Sequence, residues 1–478
     1  MKKEILPSPF VSMIPLLTLV ILLACVIMVF GADALSGASQ ISLLFTTALC
    51  IALSIFIYRV PWKNFEEAIQ ENIKGTSVAL LILLIIGALS GSWMVSGIVP
   101  TLIYYGIQII HPDFFLFTSC IICAVVSVMT GSSWTTIATI GVALLGIGKA
   151  LGFSDGWIAG AIISGAYFGD KISPLSDTTV LASSASHTKL FTHIRYMMYT
   201  TVPSMLIALL IYLFVGFAQE GGTAEHIDSY MQGLESTFTI SGWLMIVPIV
   251  TAVLIYKKVP SLITLFASVV MATIMAVIFQ TDLLVKIAGS ESFDFWAVFK
   301  GIFITLYGST NLDTGLVSLN ELVSTSGMSG MLDTIWLILC AMCFGGAMSA
   351  SGMLKSFLKA IFSKLMHTRA GLVLSTVLNG LFLNLATGDQ YISIILTATM
   401  FRERYEQDGY ESRLLSRSCE DSATVVSVLI PWNPCGMTQA SVLGVATLVY
   451  FPYCFFNLIS PLMSVLQALI GWKIIRKK

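Results

Sequence analysis

The sequence predicts an all-α polytopic membrane protein built from inverted-topology repeats, each with a re-entrant helical hairpin and a broken transmembrane helix. Three observations predict this fold class. Apolar runs long enough to cross a bilayer recur along the whole chain. Of the 478 residues, 56% are hydrophobic and only 11% are charged, about half the charged share of an ordinary soluble domain. Polar segments broken by glycine and proline recur half a chain apart, a pattern typical of the binding sites of secondary transporters.

The first half of the chain begins with residues 1–40, where an apolar stretch at about 10–30 predicts an N-terminal transmembrane helix. Lys2, Lys3 and Ala32-x-Ala34 also resemble parts of a signal peptide. However, the apolar stretch is longer than a signal peptide needs and is followed at once by another span. The first inverted repeat follows at 41–218. Its predicted elements are helices at 41–58, 77–98 and 195–218, a re-entrant hairpin at 114–149 and a broken helix at 156–186.

The second half of the chain starts after a connecting segment at 219–259, which contains one predicted helix at 240–256. The second inverted repeat is predicted at 260–478. Its elements are helices at 260–279, 331–352 and 444–472, a re-entrant hairpin at 370–402 and a broken helix at 413–442. Between the first two of these helices, the stretch FDFWAVFKGIFITLYG suits an amphipathic or re-entrant helix.

The two repeats correspond under a shift of 257 positions. The shift places Thr130-Gly131 on Thr387-Gly388, Trp134 on Tyr391, and Pro174 on Pro431. Gly131 and Gly388 are predicted to break the hairpins, and Pro174 and Pro431 the long helices. Non-helical backbone at membrane depth persists only when it packs in protein or lines a wet cavity. In return, half-helix N-termini present N–H groups to anions, and unwound carbonyls coordinate cations.

Basic residues predict the orientation of the repeats, because Lys and Arg concentrate in short cytoplasmic segments. Both termini are predicted to be cytoplasmic. The second hairpin lies between the basic segments Lys355–Arg369 and Arg402–Arg417, so it enters from the cytoplasm. The first hairpin lies between His111/Asp113 and Lys149/Asp155, so it enters from the opposite side. The two repeats are therefore predicted to be inverted copies of each other.

Neutral polar side chains cluster around the predicted breaks and supply candidate oxygen ligands. The residues predicted to line a substrate site are Ser132, Ser133, Thr135, Thr136, Ser173, Ser176, Thr178, Thr179, Gln390 and Asn433. Hard cations prefer oxygen ligands of this kind.

Five carboxylates are predicted to lie at membrane depth, and we expect them to bind ions or protons: Asp170, Asp177, Asp389, Glu420 and Asp421. An ionised residue there costs at least about 2.5–3.5 kcal/mol on insertion scales, so such residues are usually functional. Asp170, Asp389 and Asp421 are the predicted Na⁺ ligands. When the site is open to the outside, protons are expected to load Asp170 and Asp389. Two structural alternatives stay open: Asp170 pairs with the adjacent Lys171, or Glu420 lies at the inner interface.

Other function classes have little support in the sequence. The net charge of −1 and the absence of a dense Lys/Arg cluster argue against nucleic-acid binding. Both C-x-x-C pairs lie inside apolar runs, where thiolates for zinc or redox chemistry are unfavourable. Tyr167–Asp170 resembles half of an intramembrane aspartyl protease signature, but the chain has no Tyr-Asp dipeptide for the other half. We therefore predict no catalytic residues, no enzyme activity and no cofactor apart from transported Na⁺ and H⁺.

Several long stretches closely resemble the NhaC family of bacterial Na⁺/H⁺ antiporters. They include GAIISGAYFGDKISPLSDTTVLA, NLATGDQYISI and SRSCEDSATVVSVLIPWNPCG, and the likeness extends from about residue 40 to near the C-terminus. The resemblance implies an ion-transporter fold with paired hairpins, a homodimer, and a place in the bacterial cytoplasmic membrane. It also implies exchange of Na⁺ for H⁺ by alternating access. Some members are proposed to exchange a small carboxylate or an amino acid instead.

The chain departs from the family pattern at three places beside the predicted site. Thr135 and Thr136 stand where a glycine-containing tip is usual, Val428 where proline is expected, and Pro434 where threonine is common. These departures bear on the substrate more than on the fold. An organic acid remains an alternative substrate, with hydroxyl-rich hairpin tips and Lys171 as partners for its carboxylate.

Overall fold

The computed structural model describes residues 7–30, 36–218, 224–257, 259–316, 319–320, 323–356 and 366–474. Within these ranges, all the regular structure is helical. Nine helices in the described ranges are long and apolar enough to cross a bilayer, or up to eleven if each of two sharply bent pairs forms one span. The all-α polytopic fold class is therefore confirmed. Some residues that support the predicted orientation lie outside the described residues. They are those at both chain termini, together with Lys359 and Lys364 from the basic segment Lys355–Arg369.

The first half contains a set of long helices followed by the predicted hairpin and broken helix. The helices are α1 (Pro9–Phe30), α2 (Ala38–Tyr58), α3 (Trp62–Val95), α4 (Ile98–Ile109), α5 (Phe115–Thr130), α6 (Ser133–Ala150), α7 (Asp155–Ile172), α8 (Asp177–Ala185) and α9 (Leu190–Ala218). Helices α5 and α6 form the first hairpin, and α7 and α8 are the two parts of the first broken helix.

The second half repeats this order after a set of connecting helices. The connecting helices are α10 (Ala224–Thr237), α11 (Gly242–Tyr256), α12 (Ser261–Phe279), α13 (Thr281–Ile287) and α14 (Phe295–Tyr307). The remaining helices are α15 (Gly327–Ala350), α16 (Arg369–Thr387), α17 (Gln390–Gln407), α18 (Ser412–Cys419), α19 (Pro434–Leu443), α20 (Thr447–Tyr453) and α21 (Phe455–Ile470). After α18 the chain continues as a π-helical turn, Glu420–Thr424, and a 3-10 turn, Ser427–Leu429.

The helix bounds in the two halves match under the shift of 257 positions. The second hairpin helix, α6 or α17, occupies equivalent positions in both halves, and the broken helix begins at the equivalent residues Asp155 and Ser412. Its second part begins at Asp177 in the first half and at Pro434 in the second. The repeat that was predicted from a few motifs therefore extends to the boundaries of whole helices.

The hairpin tips are built alike because local sequence dictates the same turn. Gly131 and Gly388 adopt left-handed conformations, with φ of 65° and 63°, which glycine accepts without a Cβ penalty. The residues that follow them, Ser132 and Asp389, are extended and accept a backbone N–H bond with their side chains as N-caps of the next helix. The predicted role of both glycines as helix breaks is thus visible in the backbone.

The long helices break at the two predicted prolines. The first break covers 173–176 and contains Pro174, and the second covers 430–433 and contains Pro431. Ser176 and Asn433 cap the helices that resume after the breaks. The second break is shorter than its predicted range, because Pro434 begins α19 and Gly436 lies inside that helix. Proline suits the first position of a helix, where its missing N–H is not needed.

Four features of the fold differ from the predicted path. The helix predicted at 444–472 is divided into α20 and α21, and α20 is bent by 90° from α19. Helix α3 begins at Trp62 and is 34 residues long, whereas the sequence predicted a start at 77. The separate helix α4 was missed, because its 12 residues are too few to cross a bilayer and Gly97, with φ of 84°, reverses the chain before it. The segment at 219–235, predicted as a loop, contains most of α10, which bends by 88° into α11.

Small residues let the first hairpin pack closely against the first broken helix. A Cβ at Gly165 of α7 would lie 2.1 Å from the carbonyl oxygen of Cys120 in α5. At Gly169 it would lie 2.3 Å from the carbonyl oxygen of Ala124. Such close approach of two backbones is the usual way that membrane helices associate. The close packing of α5 against α7 holds the hairpin tip beside Asp170, the residue after Gly169.

Candidate functional site

A cavity of about 470 Å³ lies where the first hairpin tip, the first helix break and the second hairpin tip meet α3. The polar residues that line it are Thr130, Ser132, Thr135, Asp170, Asp177, Ser261, Gln390 and Tyr391. Seven of these eight, all except Ser261, come from the motifs that the sequence singled out. The structure therefore brings the first helix break and the hairpin tips of both repeats to one cavity.

Asp170 lies in the last turn of α7, with one oxygen held by the first hairpin. Its Oδ2 accepts a bond from the Ser133 backbone N–H (3.0 Å) and another from the Ser133 hydroxyl (2.7 Å). Ser133 is the first residue of α6, so the carboxylate lies at the positive end of that helix dipole. Its Oδ1 has no hydrogen-bond partner among the described residues. The structural alternative of an Asp170–Lys171 pair is not seen.

Asp177 joins the two repeats through a hydrogen bond across the cavity. Its Oδ2 accepts a bond from the Tyr391 hydroxyl at 2.7 Å, and its Oδ1 accepts the Thr178 backbone N–H at 2.8 Å. Tyr391 belongs to the first turn of α17, next to the second hairpin tip. A change in the charge of Asp177 therefore directly alters its hydrogen bond to the second hairpin tip.

Most of the predicted hydroxyl ligands stabilise the breaks and do not line the cavity. Ser132 and Thr135 do line it, and Thr135 donates its hydroxyl to Ser132 Oγ at 3.1 Å. The hydroxyls used locally are those of Thr136, Ser173, Ser176, Thr178 and Thr179. Ser173, for example, donates to the Val128 carbonyl at 2.8 Å and fastens the break to the hairpin. These groups satisfy backbone atoms that the breaks leave without helical partners.

Not all of the predicted site residues in the second repeat line the cavity. Gln390 lines it and accepts a bond from Ser427 at 3.3 Å. Asp389 does not line it, and its Oδ1 accepts the Ile392 backbone N–H at 2.7 Å as the N-cap of α17. Asn433 is fully buried and donates to Asn384 at 3.0 Å.

A cluster of buried charges lies behind the cavity, where the two broken helices cross. Lys171 Nζ forms an ion pair with Asp421 and donates to Ser460 Oγ at 2.9 Å. Arg417 Nε lies 4.0 Å from the other oxygen of Asp421. Both oxygens of Glu420 have no hydrogen-bond partner among the described residues. Lys171, Arg417, Glu420 and Asp421 all have zero exposure, so Glu420 does not lie at an exposed interface.

Of the three predicted Na⁺ ligands, Asp170 alone lines the cavity. Asp170 faces the cavity, Asp389 caps its own helix, and Asp421 faces Lys171. Within the described ranges, no group of three His, Cys, Asp or Glu side chains is placed to hold a metal ion. The carboxylates face different partners because each is engaged by a helix N-terminus or a cation. Of the five predicted carboxylates, Asp170 and Asp177 line the cavity.

Sequence reasoning missed Ser261 and Tyr391 of the cavity and Arg417 of the buried charge cluster. Tyr391 was noted only as the repeat partner of Trp134, yet both side chains line the cavity, so the repeat register could have identified it. Arg417 was assigned to a basic cytoplasmic segment. Its spacing of four residues before Asp421 places the two side chains on one helical face, a signal that could have revealed the contact.

The family follows from comparison with known sequences. A family model described as the Na⁺/H⁺ antiporter family matches residues 2–188 and 165–472. The chain belongs to the Na⁺/H⁺ antiporter family. This antiporter-family chain is 32% identical to the Na⁺/H⁺ antiporter NhaC of Bacillus subtilis, over 88% of its own length and 90% of the relative. Family membership confirms the resemblance that the sequence motifs indicated.

Two further relatives of this family member carry names of organic exchangers. The malate-2H⁺/Na⁺-lactate antiporter of Bacillus subtilis is 35% identical over 86% of this chain and 85% of its own. The arginine/ornithine antiporter ArcD of Halobacterium salinarum is 33% identical over 98% of this chain and 94% of its own. A solved structure of Neisseria gonorrhoeae MtrF aligns over 98% of this chain and 97% of its own, with 15% identity and a TM-score of 0.32. That score is too low to support an argument about the fold.

Proposed function

We propose that the chain exchanges Na⁺ for H⁺ across the bacterial cytoplasmic membrane by alternating access, with both termini in the cytoplasm. The geometry of Asp170 carries this proposal. One of its oxygens is held by Ser133, while the other has no hydrogen-bond donor among the described residues and belongs to a residue that lines the cavity. A carboxylate oxygen in this setting accepts either a proton or a hard cation. Competition between the two is the minimum requirement for cation/proton exchange.

The surrounding residues have distinct roles in the proposed cycle. Na⁺ binds between Asp170 and Asp177, and Ser132 and Thr135 supply neutral oxygens from the hairpin tip. Na⁺ at Asp177 competes with the hydroxyl bond from Tyr391, so binding is coupled to the second hairpin. Protonation of the carboxylates releases Na⁺ and restores a neutral site. A neutral or a cation-loaded site is the form that moves most readily through the low-dielectric interior. The homodimer implied by the resemblance remains a prediction.

A second candidate is exchange of a cationic amino acid, and the size and charge of the cavity favour it. About 470 Å³ is far more than a bare cation needs, since one water in the liquid occupies roughly 30 Å³. The charged residues that line the cavity within the described ranges are Asp170 and Asp177, with no Lys, Arg or His among the lining residues. Two carboxylates attract an ammonium or guanidinium group and repel a dicarboxylate. Lys171, the predicted partner for an organic acid, is buried against Asp421 and does not line the cavity.

Proton flux in proteoliposomes tests the main proposal. Purified protein is reconstituted with an internal pH dye, and Na⁺ is added outside without any organic solute. We expect Na⁺-dependent pH change, and a loss of at least about 100-fold in Asp170→Asn, because a unit charge in contact with a cation is worth several kcal/mol at an effective dielectric constant of 20. Asp155→Asn is the matched control, since Asp155 begins the same helix and pairs with Lys149 away from the cavity.

The outcomes separate the candidates. Wild-type flux in Asp170→Asn would reject the assigned site. A wild-type protein that ignores Na⁺ but exchanges arginine or ornithine would establish the second candidate. Exchange of malate or lactate in place of these would contradict the charge argument, because the cavity walls would then have to accept an anion beside two carboxylates.

A further inference from the structure

A second cavity lies at the end of the helix bundle where α9 and α18 begin and α21 ends. Its volume is about 400 Å³, and it is lined by Phe191, Thr192, Arg195, Tyr196, Tyr199 and Arg413. Residues 191 and 192 are in the first turn of α9, which is long and apolar enough to span a bilayer. The cavity therefore lies at a membrane–water boundary and not at membrane depth. It shares no lining residue with the proposed transport cavity.

The charge around this second cavity is positive. Arg195 is exposed, and Arg413 extends over the Tyr196 ring, with its guanidinium carbon 5.3 Å from the ring centroid. Lys473 Nζ lies 5.5 Å from the centroid of the Tyr199 ring, beside the cavity. The nearby acid is Glu411, which pairs with Arg413 at 2.6 Å. Arg195, Arg413 and Lys473 against Glu411 leave a net charge of about +2 among these four side chains. Arg417, 4.8 Å from the Tyr196 centroid, is a further cation, but it faces Asp421.

The N-terminal end of α9 adds to this positive potential. The first turn of the helix contains no acidic residue, so its free N–H groups are not offset by a carboxylate. The hydroxyl of Thr192 is part of the lining and can donate a hydrogen bond to an anion. Together, these groups suit an oxyanion with several acceptor oxygens, such as a phosphate.

Aromatic side chains place this cationic cavity beside lipid. Phe191 lines the cavity and is 72% exposed, so one wall of the cavity continues onto the apolar surface of the bundle. Trp472 is 46% exposed and packs edge-on against Tyr199, with their ring centroids 5.7 Å apart. Trp and Tyr collect at the headgroup level of membranes. A soluble anion needs no apolar wall, whereas a phospholipid has acyl chains to place against one.

We propose that this cavity binds the phosphate headgroup of an anionic phospholipid, with Arg195 and Arg413 as the phosphate ligands and the acyl chains along Phe191. Lys473 contributes long-range attraction from its position over Tyr199. Basic pockets between transmembrane helices are suited to such headgroups, and each Lys or Arg near an anionic surface contributes about 1 kcal/mol. The binding is independent of the transport chemistry proposed above. The bound phospholipid connects the start of α9, through Arg195, to the start of α18, through Arg413.

The test measures lipid binding to the full-length protein after delipidation in a neutral detergent. Phosphatidylglycerol is titrated, and retained lipid is counted by native mass spectrometry while the thermal unfolding midpoint is followed in parallel. The key variant is Arg195→Gln, because Arg195 is exposed and its loss leaves the Arg413–Glu411 pair in place. The control is Lys63→Gln, which removes a highly exposed cation that pairs only with a neighbour on its own helix.

We expect phosphatidylglycerol to bind Arg195→Gln about fivefold more weakly than wild type, which is 1 kcal/mol expressed as a ratio of dissociation constants. The double variant Arg195→Gln/Arg413→Gln should bind about 25-fold more weakly, and Lys63→Gln should bind like wild type. Equal weakening in Arg195→Gln and Lys63→Gln would overturn the proposal. Equal binding of phosphatidylcholine would also overturn it. If inorganic phosphate alone saturates the site and blocks lipid retention, the occupant is a free anion and the lipid assignment is wrong.

Discussion

The buried ion pair between Lys171 and Asp421 gives the sharpest stability prediction. Both side chains have zero exposure, so neither charge is solvated by water. Removing one partner of such a pair leaves an uncompensated charge and typically costs 3–5 kcal/mol, whereas removing both is often close to neutral. We therefore expect Lys171→Met and Asp421→Asn each to lower the thermal unfolding midpoint strongly. The double variant should recover at least about half of the summed loss.

The neighbours of the pair predict an asymmetry between the two single variants. After Lys171→Met, Asp421 still has Arg417 at 4.0 Å, so the expected cost lies near the lower end of the range, about 3 kcal/mol. After Asp421→Asn, two buried cations lose their shared carboxylate, and the expected cost lies near the upper end, about 5 kcal/mol. The new amide oxygen can still accept bonds from Ser460 and Thr200, so the difference reports charge and not packing.

The assay is a double-mutant cycle on the unfolding midpoint in detergent, with transport measured on the same preparations. Lys63→Met serves as the control for loss of a lysine, because that side chain is 81% exposed. Additive effects of the two single substitutions would refute the claim that the pair compensates two buried charges. A larger loss in Lys171→Met than in Asp421→Asn would refute the role assigned to Arg417.

The remaining predictions concern the hairpin tips. Gly131→Ala and Gly388→Ala should each cost about 1–2 kcal/mol, because both force a left-handed backbone on a residue with a Cβ. Gly131→Ala should cost at least about 1 kcal/mol more, because its new Cβ would lie 2.6 Å from Leu175 Cβ; equal unfolding midpoints would contradict this. Tyr391→Phe removes the hydroxyl bond to Asp177 and should change the apparent Na⁺ affinity in flux assays by about two- to tenfold, and an unchanged affinity would remove Tyr391 from the site.

The breaks at the two hairpin tips and in the two broken helices were predictable from the sequence, because the cause of each of these four breaks is local. A glycine that adopts positive φ ends a helix wherever it stands, and a proline restricts its own residue and the one before it. The same local chemistry caps the helices that follow. Asp389, which the sequence assigned to Na⁺ binding, is itself such a cap, at the start of α17. A carboxylate just after a helix-breaking glycine is an N-cap candidate, and that local signal was available.

The choice of partner for each buried charge was decided only by the tertiary structure. Asp170 and Lys171 are adjacent in sequence, but neighbours on a helix project about 100° apart, so one faces the cavity and the other faces the second repeat. Asp421 lies 250 residues away from its partner, and no local rule predicts that contact. The sequence alone thus determined the membrane class, the repeat register and the breaks, since these follow from composition and backbone conformation. Which carboxylates face the cavity depends on how the first broken helix packs against the two hairpin tips and α3, and that is a property of packing between distant parts of the chain.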